Sequence, residues 1–177
     1  ESIMIYRRYP SECFDVKWPD VSEDDIVVFG SYFAVDARVR PRLHELLSYI
    51  VERKALIINM PGFLKQQEPR ITRVIPEILE NLEISDMVVT RTQDLEHIFG
   101  TRNPEDCYRK HIKFYCRSFI NIDPDRQQMT FFHDDISVST PISRPPISLM
   151  WNSGALAGII SSIVDLGITR DTLKRLE

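Results

Sequence analysis

The sequence predicts an α/β protein built on a mostly parallel β-sheet, with an antiparallel edge in its C-terminal half. Three observations favour this class. Short apolar runs alternate along the chain with segments whose apolar residues recur at helical spacing. Several runs are continuously apolar, as in strands that are buried on both faces of a parallel sheet. Two later runs are separated by a short turn, which is typical of an antiparallel hairpin.

The N-terminal half consists of three strands, each followed by a helix. The predicted strands are Asp24–Gly30, Ala55–Met60 and Ser85–Thr90. The predicted helices are Asp36–Lys54, Glu68–Leu82 and Thr92–Gly100. Because parallel neighbours need a crossover connection that is usually helical, this order predicts right-handed crossovers and helices on both faces of the sheet.

The C-terminal half begins with a further helix at Asn103–Cys116, which has an Asn cap and a proline in its first turn. The remaining predicted elements are a strand at Ser118–Ile122, strands at 127–132 and 135–140 around His133–Asp134, and a helix that starts near residue 152 and ends at Gly167. Thr169 or Asp171 is expected to cap one last helix.

We expect a single domain over residues 1–177, and a partial one, because the chain opens inside a strand-like segment without an initiator methionine. Residues 1–9 are interpreted as part of a lid or an edge strand. An edge strand left open favours association, so we expect a homodimer.

Composition excludes several classes of partner. The chain of 177 residues is 43% hydrophobic and has a net charge of −4, which argues against binding to nucleic acid. It has no apolar run long enough to span a membrane. Cys13, Cys107 and Cys116 form no CxxC pattern, and the four histidines have no metal-ligand spacing. We therefore predict reduced thiols in a cytoplasmic protein without a metal site of its own.

Four phrases occur in an order that is more specific than any one motif. They are DDIVVFGSYFAVDARVRPRLHELL, PEILENLEISDMVV, DLEHIFGTRNPEDCYRK and AGIISSIVDLGITRDTL. In this order the chain resembles the ribokinase-like carbohydrate kinases of the PfkB family, especially the fructokinase type. The resemblance implies a ribokinase-like α/β fold, ATP as phosphoryl donor, a sugar hydroxyl as acceptor, and Mg²⁺.

The resemblance also implies a Gly-Ala-Gly-Asp turn at the start of the last long helix, where backbone N–H groups hold the phosphate and the aspartate is the base. This turn falls on residues 150–153, so that Ser153 stands at the base position. A hydroxyl without a partner base is a poor proton acceptor near neutral pH. Asn152 keeps a place in the turn, and a shifted alignment would bring in Gly154 instead.

Other sites implied by the resemblance are altered in the same way. The Asn-x-x-Glu motif falls on residues 91–94, where Asp94 retains a carboxylate. The nucleotide turn falls on residues 123–126, so Asp123 and Arg126 are candidate phosphate-binding residues by position. The Asp-Pro-Asn-Phe-Arg motif falls on residues 60–64, where only the proline and the phenylalanine remain.

Three functions are consistent with these residues. The first is a PfkB-type kinase homologue whose catalysis is impaired and which acts as a non-catalytic or regulatory binding protein for a sugar or nucleotide. The second is an active kinase that uses ATP and Mg²⁺ with an unconventional base. The third is a structural or oligomerisation domain that binds no small molecule.

Overall fold

The structure is a computed structural model. It describes residues 17–63, 65, 67–143 and 151–176, with side chains from Gly154 onward in the last range. The lid or edge strand expected at residues 1–9 lies outside the described residues.

The described residues form one six-stranded sheet in which the strands lie in chain order. The strands are β1 (Ile26–Gly30), β2 (Leu56–Met60), β3 (Met87–Arg91), β4 (Ser118–Asp123), β5 (Gln128–His133) and β6 (Ile136–Pro141). Strands β1 to β4 are parallel, whereas β5 is antiparallel to β4 and β6 is antiparallel to β5. The predicted fold class, a mostly parallel sheet with an antiparallel edge, is confirmed.

Helices connect the parallel strands and follow the hairpin. They are α1 (Arg40–Glu52), α2 (Ile75–Ile84), α3 (Thr92–Phe99), α4 (Pro104–Cys107, continued as a π-helical turn at Tyr108–Ile112), α5 (Trp151–Asp165) and α6 (Arg170–Lys174). Gly100 ends α3 in the left-handed conformation, and the Thr169 hydroxyl caps α6. Both are residue types that sequence reasoning places at helix ends.

Three predicted helices are shorter than the sequence pattern indicated, and the last of them, predicted over Asn103–Cys116, ends at Ile112. The first begins only at Arg40, because the Asp36 carboxylate binds the backbone and guanidinium of Arg38 and holds that segment in a turn. The second is divided into a 3-10 turn at Ile71–Arg73 and α2, in which Pro76 occupies the first turn. A proline is tolerated there because its missing N–H would have no partner in the helix.

The sheet separates two layers of unequal thickness. One face, which we call the helix-rich face, packs against α1 to α4 through Ile57, Val88 and Phe119. The opposite face, the α5 face, packs against α5 and α6. Its core comprises Leu56, Ile58, Met87, Val89, Ile120 and Ile122 from the sheet and Ile159, Ile163 and Leu173 from the helices. Right-handed crossovers between strands in sequential order place α1 to α4 on a single face.

The last helix is held by buried polar contacts. The Arg170 Nε donates to Asp86 Oδ1 at 2.8 Å, and its Nη1 donates to the Val51 carbonyl at 3.1 Å. The His133 Nε2 donates to the Leu176 carbonyl at 3.1 Å. These contacts fix α6 against β5 and the amino end of β3.

Two thiols lie in the core of the helix-rich face. Cys107 and Cys116 are buried and free. Burial disfavours the thiolate and raises the pKa of each thiol to about 12. Both cysteines are therefore core packing residues, and neither is in a state to act as a nucleophile near neutral pH.

We predict that Cys107 and Cys116 resist alkylation in the native protein at about pH 8, where an ordinary exposed thiol reacts readily. Peptide mass mapping after iodoacetamide treatment measures this directly, and the same treatment in denaturant is the control. Rapid native modification of either residue would contradict the buried placement.

Candidate functional site

A cleft lies at the carboxyl ends of β1 to β4, where ligands bind in open α/β sheets. Its volume is about 360 Å³. The lining residues are Val28, Phe29, Gly30, Ser31, Met60, Gly62, Val89, Thr90, Arg91, Asp94 and Ile122. The cleft is therefore assembled from the ends of all four parallel strands.

The first wall of the cleft is the tight turn that ends β1. Gly30 has φ +148°, and a Cβ at this position would overlap the Met60 carbonyl oxygen. Only glycine tolerates both this backbone angle and so close an approach to the Met60 carbonyl. The next residue, Ser31, donates its backbone N–H to the same carbonyl oxygen at 2.9 Å.

The second wall is the loop after β2. The Gly62 backbone N–H donates to the Met60 carbonyl at 2.8 Å, which closes a three-residue turn around Pro61. The proline φ of about −65° suits the inverse form of this turn. The Met60 carbonyl thus accepts the N–H groups of both loops, and neither group points into the cleft as an anion donor.

The third wall is a charged pair at the junction of β3 and α3. Arg91 donates from Nε to Asp94 Oδ2 and from Nη2 to Oδ1, each at 2.8 Å. Asp94 is buried and the Arg91 side chain is 28% exposed. The hydrogen bonds that Arg91 donates to Asp94 hold the pKa of the Arg91 guanidinium above its usual value. The guanidinium therefore stays charged, and its Nε–Nη2 edge faces the Asp94 carboxylate.

Gly62 lies directly over this pair. A Cβ on Gly62 would come within 2.8 Å of Asp94 Oδ2. The loop after β2 therefore packs against the Asp94 carboxylate, which in turn binds the Arg91 guanidinium. The loop can come this close to Asp94 only because residue 62 has no side chain.

Three buried polar side chains lie beside or beneath the cleft on adjacent strands. Asn59 on β2 has no partner within the described residues for either amide atom, and Thr90 on β3 has none for its hydroxyl. Asn121 on β4 donates to Thr92 Oγ1 at 3.1 Å but leaves its carbonyl oxygen unpaired in the same part of the chain. Buried polar groups of this kind are rare in native proteins, and they mark places where a ligand or solvent is bound.

The structure brings one of the sequence-predicted site residues, Asp94, into the cleft. Asp123 and Arg126 lie in the turn between β4 and β5, where the Asp123 carboxylate accepts the backbone N–H groups of Asp125 and Arg126 at 3.0 Å each. The Arg126 side chain is 76% exposed. Neither residue is among the described residues that line the cleft.

The remaining assignments concern the start of α5. Gly154 lines an apolar groove on the α5 face. The side chains of Asn152 and Ser153 lie outside the described part of the structure. The proposed phosphate-binding and base positions therefore stay predictions.

Sequence reasoning missed the groups that shape the cleft. The stretches that follow β1, β2 and β3 converge on one edge of the sheet. Gly30, Ser31 and Thr90 were not singled out, although a Gly-Ser pair directly after an apolar run is a usable signal for a constrained turn.

Two other kinds of site are absent from the described ranges of the chain. No group of three or more His, Cys, Asp or Glu residues there is arranged to hold a metal ion. The helices described are all too short or too polar to cross a bilayer.

Comparison with solved structures identifies the architecture. A PfkB protein from Polaromonas sp. JS666 matches with a TM-score of 0.66 at 14% identity, over 92% of this chain and 56% of that one. The fold is that of the PfkB kinases. Aminoimidazole riboside kinase from Salmonella enterica matches with a TM-score of 0.64 at 12% identity, over 75% of this chain and 45% of that one.

Fructokinase from Vibrio cholerae O395, in its fructose, ADP and calcium ion bound form, matches with a TM-score of 0.61 at 12% identity, over 72% of this chain and 42% of that one. The chain thus spans about half the length of the solved structures that it matches. No family model matches the sequence, and no curated protein does.

We predict that Gly62→Ala destabilises the protein by about 1–3 kcal/mol, because the new methyl group must displace the Asp94 carboxylate. The same substitution should cost less than about 0.5 kcal/mol in an Asp94→Ala background, where that space is open. Urea unfolding of the wild type, the two single variants and the double variant measures the coupling between positions 62 and 94. Equal costs in both backgrounds would show that the loop and the ion pair are independent.

Proposed function

We propose that this chain is a PfkB-fold binding domain that does not transfer phosphate, and that its cleft binds a small uncharged molecule such as a free sugar or a nucleoside. It would act as a non-catalytic or regulatory relative of the kinases whose fold it shares.

The observation that carries this proposal is the Arg91–Asp94 pair. Arg91 is the one cationic side chain among the described residues that line the cleft, and the guanidinium edge formed by Nε and Nη2 is bonded to Asp94. The Asp94 carboxylate offsets the positive charge that would attract a phosphate to this part of the cleft. The described residues of the cleft therefore do not fit ATP and Mg²⁺.

The backbone supports the same conclusion. Phosphoryl transfer depends on N–H groups, cations and a metal acting together on the transferred group. In the described part of this cleft, the Ser31 and Gly62 N–H groups are already bonded to Met60. Ser153, at the position where the kinases have an aspartate base, offers only a hydroxyl.

The shape and lining favour an uncharged ligand. A volume of about 360 Å³ lies within the range of about 300–1,000 Å³ for small-molecule sites. Val28, Met60, Val89 and Ile122 provide apolar walls, while the unpaired Thr90 hydroxyl provides a hydrogen-bonding group. This combination suits the alternating apolar and hydroxyl surfaces of a sugar or nucleoside.

Isothermal titration calorimetry tests the proposal with ATP and Mg²⁺, a panel of free hexoses, and a panel of nucleosides. We expect no heat from ATP at about 1 mM and micromolar to millimolar binding of at least one uncharged ligand. Thr90→Val removes the hydroxyl and keeps the shape of the side chain, so it should weaken the binding of that ligand. Thr140→Val on exposed β6 is the matched control.

Micromolar binding of ATP together with phosphoryl transfer to a sugar would overturn the proposal in favour of an active kinase. Binding of neither class of ligand would also overturn it, and would leave a structural domain. A Ser153→Asp variant extends the test. We expect this variant to remain inactive in phosphoryl transfer because Arg91 is still bonded to Asp94.

A further inference from the structure

Ser31 has a backbone conformation that serine rarely adopts. It follows β1 directly, with φ 58° and ψ −172°. Glycine occupies this region of conformational space almost exclusively, because a Cβ crowds the backbone there. Residues held in this way cluster at ligand-binding sites, where the surrounding structure compensates for the strain. Ser31 is exposed, and it lines the cleft at the carboxyl ends of the parallel strands.

The conformation of Ser31 is fixed by its own backbone groups and by the turn that follows it. Its N–H donates to the Met60 carbonyl at 2.9 Å, and its carbonyl accepts the Ala34 N–H at 3.2 Å. The Ala34 carbonyl accepts the Asn81 side-chain amide at 3.1 Å, and the Asn81 oxygen accepts Arg40 Nη1 at 2.6 Å. Strand β2 and helices α1 and α2 therefore hold this turn, and the strain belongs to the folded protein.

The next side chains of the same turn pack into the core. Ala34 and Val35 are buried. The Tyr32 ring packs against the core of the helix-rich face, with its centroid 6.0 Å from that of Phe63. Ser31 differs from these neighbours because it lines the cleft.

A capping role does not explain why this residue is a serine. The Ser31 hydroxyl oxygen accepts the Phe33 N–H at 3.4 Å. However, an ordinary capping serine has an extended backbone with negative φ, and glycine caps nearly as well as serine does. Glycine would also adopt the observed backbone without strain. The serine therefore costs stability that its cap does not restore, and its hydroxyl has another role.

The Ser31 hydroxyl still has a proton to donate. Its oxygen is the acceptor in the hydrogen bond with Phe33, and no group in the described part of the chain accepts the hydroxyl proton. Because the turn is held on three sides, this donor is already in place before a ligand arrives. A preorganised donor binds a ligand with little further loss of conformational freedom.

A second, independent hydroxyl at the cleft also lacks a partner. Thr90 is 2% exposed and lines the cleft, and its hydroxyl has no hydrogen-bond partner among the described residues. Thr90 lies on β3 and Ser31 follows β1, with β2 between the two strands. Two strand spacings amount to about 10 Å. A ligand that contacts both hydroxyls therefore carries oxygen atoms on opposite sides, as the ring of a sugar does.

We propose that Ser31 is a ligand-binding residue whose strained backbone holds its hydroxyl as a donor to one oxygen atom of the ligand, while Thr90 contacts a different oxygen atom of the same molecule. This inference rests on the proposed function. It narrows the ligand class to polyhydroxylated molecules, namely free sugars and the sugar part of nucleosides. The free protein is less stable with serine at this position than it would be with glycine.

Isothermal titration calorimetry of the full chain tests the contact, with the hexose and nucleoside panel and the monodeoxy analogues of each member that binds. We expect Ser31→Ala to weaken binding by about three- to tenfold, as the loss of one hydrogen bond does. One deoxy analogue should bind the wild type more weakly by the same factor and show no further loss with Ser31→Ala. A different analogue should behave in this way with Thr90→Val.

Thermal unfolding of the free protein tests the strain. Ser31→Gly relieves the backbone and removes the hydroxyl, so we expect Tm to rise by about 2–4 °C while the ligand binds as weakly as it does to Ser31→Ala. Lys54→Gly is the matched control. Lys54 also has a positive φ, of 63°, but it follows α1 and is not among the described residues that line the cleft. This variant should raise Tm and leave the affinity unchanged.

The outcomes separate this inference from the proposed function. Wild-type binding that neither Ser31→Ala nor Ser31→Gly weakens would overturn the inference and leave the proposed function standing. A Tm that falls in Ser31→Gly would also overturn it, because the serine backbone would then carry no strain. If no member of the panel binds the wild type, the proposed function fails, and this inference fails with it.

Discussion

The Met60 carbonyl oxygen accepts hydrogen bonds from two loops, and the shape of the cleft depends on this arrangement. The Ser31 N–H comes from the end of β1, and the Gly62 N–H comes from the turn after β2. Both approaches need a glycine, at positions 30 and 62, because a Cβ at either place would collide with the adjoining strand or carboxylate. The mouth of the cleft is thus set by backbone contacts, which hold independently of any ligand.

This arrangement has a chemical consequence. The backbone N–H groups of Ser31 and Gly62 are bonded within the protein and are not free to hold a phosphate. Arg91, which follows β3, is likewise bonded to Asp94 at two points. In this PfkB-type fold, the described backbone and guanidinium donors of the cleft are engaged within the protein. A neutral ligand needs none of them, which is why we propose one for this cleft.

The two faces of the sheet differ in how completely the described residues cover them. Four helices pack on one face, and α5 with the short α6 packs on the other. Contacts of Arg170 and His133 hold α6 in place on this less covered face. Val138 of β6 is 57% exposed there, whereas Met129 and Phe131 of β5 pack against the α5 cluster.

Most of the secondary structure and the fold class could be predicted from the sequence. They follow from the alternation of apolar runs with helical periodicity, and from glycine, proline and asparagine at the ends of elements. The π-helical turn after α4 and the break before α2 could not, because local pattern alone does not distinguish helix types.

Among the candidate site residues, the sequence determined that residue 94 is a carboxylate and that residue 153, which the resemblance places at the base position, is a serine. Only the tertiary structure decided that Arg91 neutralises Asp94, that Asp123 stabilises its own turn, and that Gly154 faces an apolar groove. The strand order and the register of β5 with β6 likewise placed Val138 on the uncovered face. Some of these contacts join residues close in sequence, as Arg91 and Asp94 do, and others join separate elements. In both cases residue identity alone does not fix which group a side chain faces.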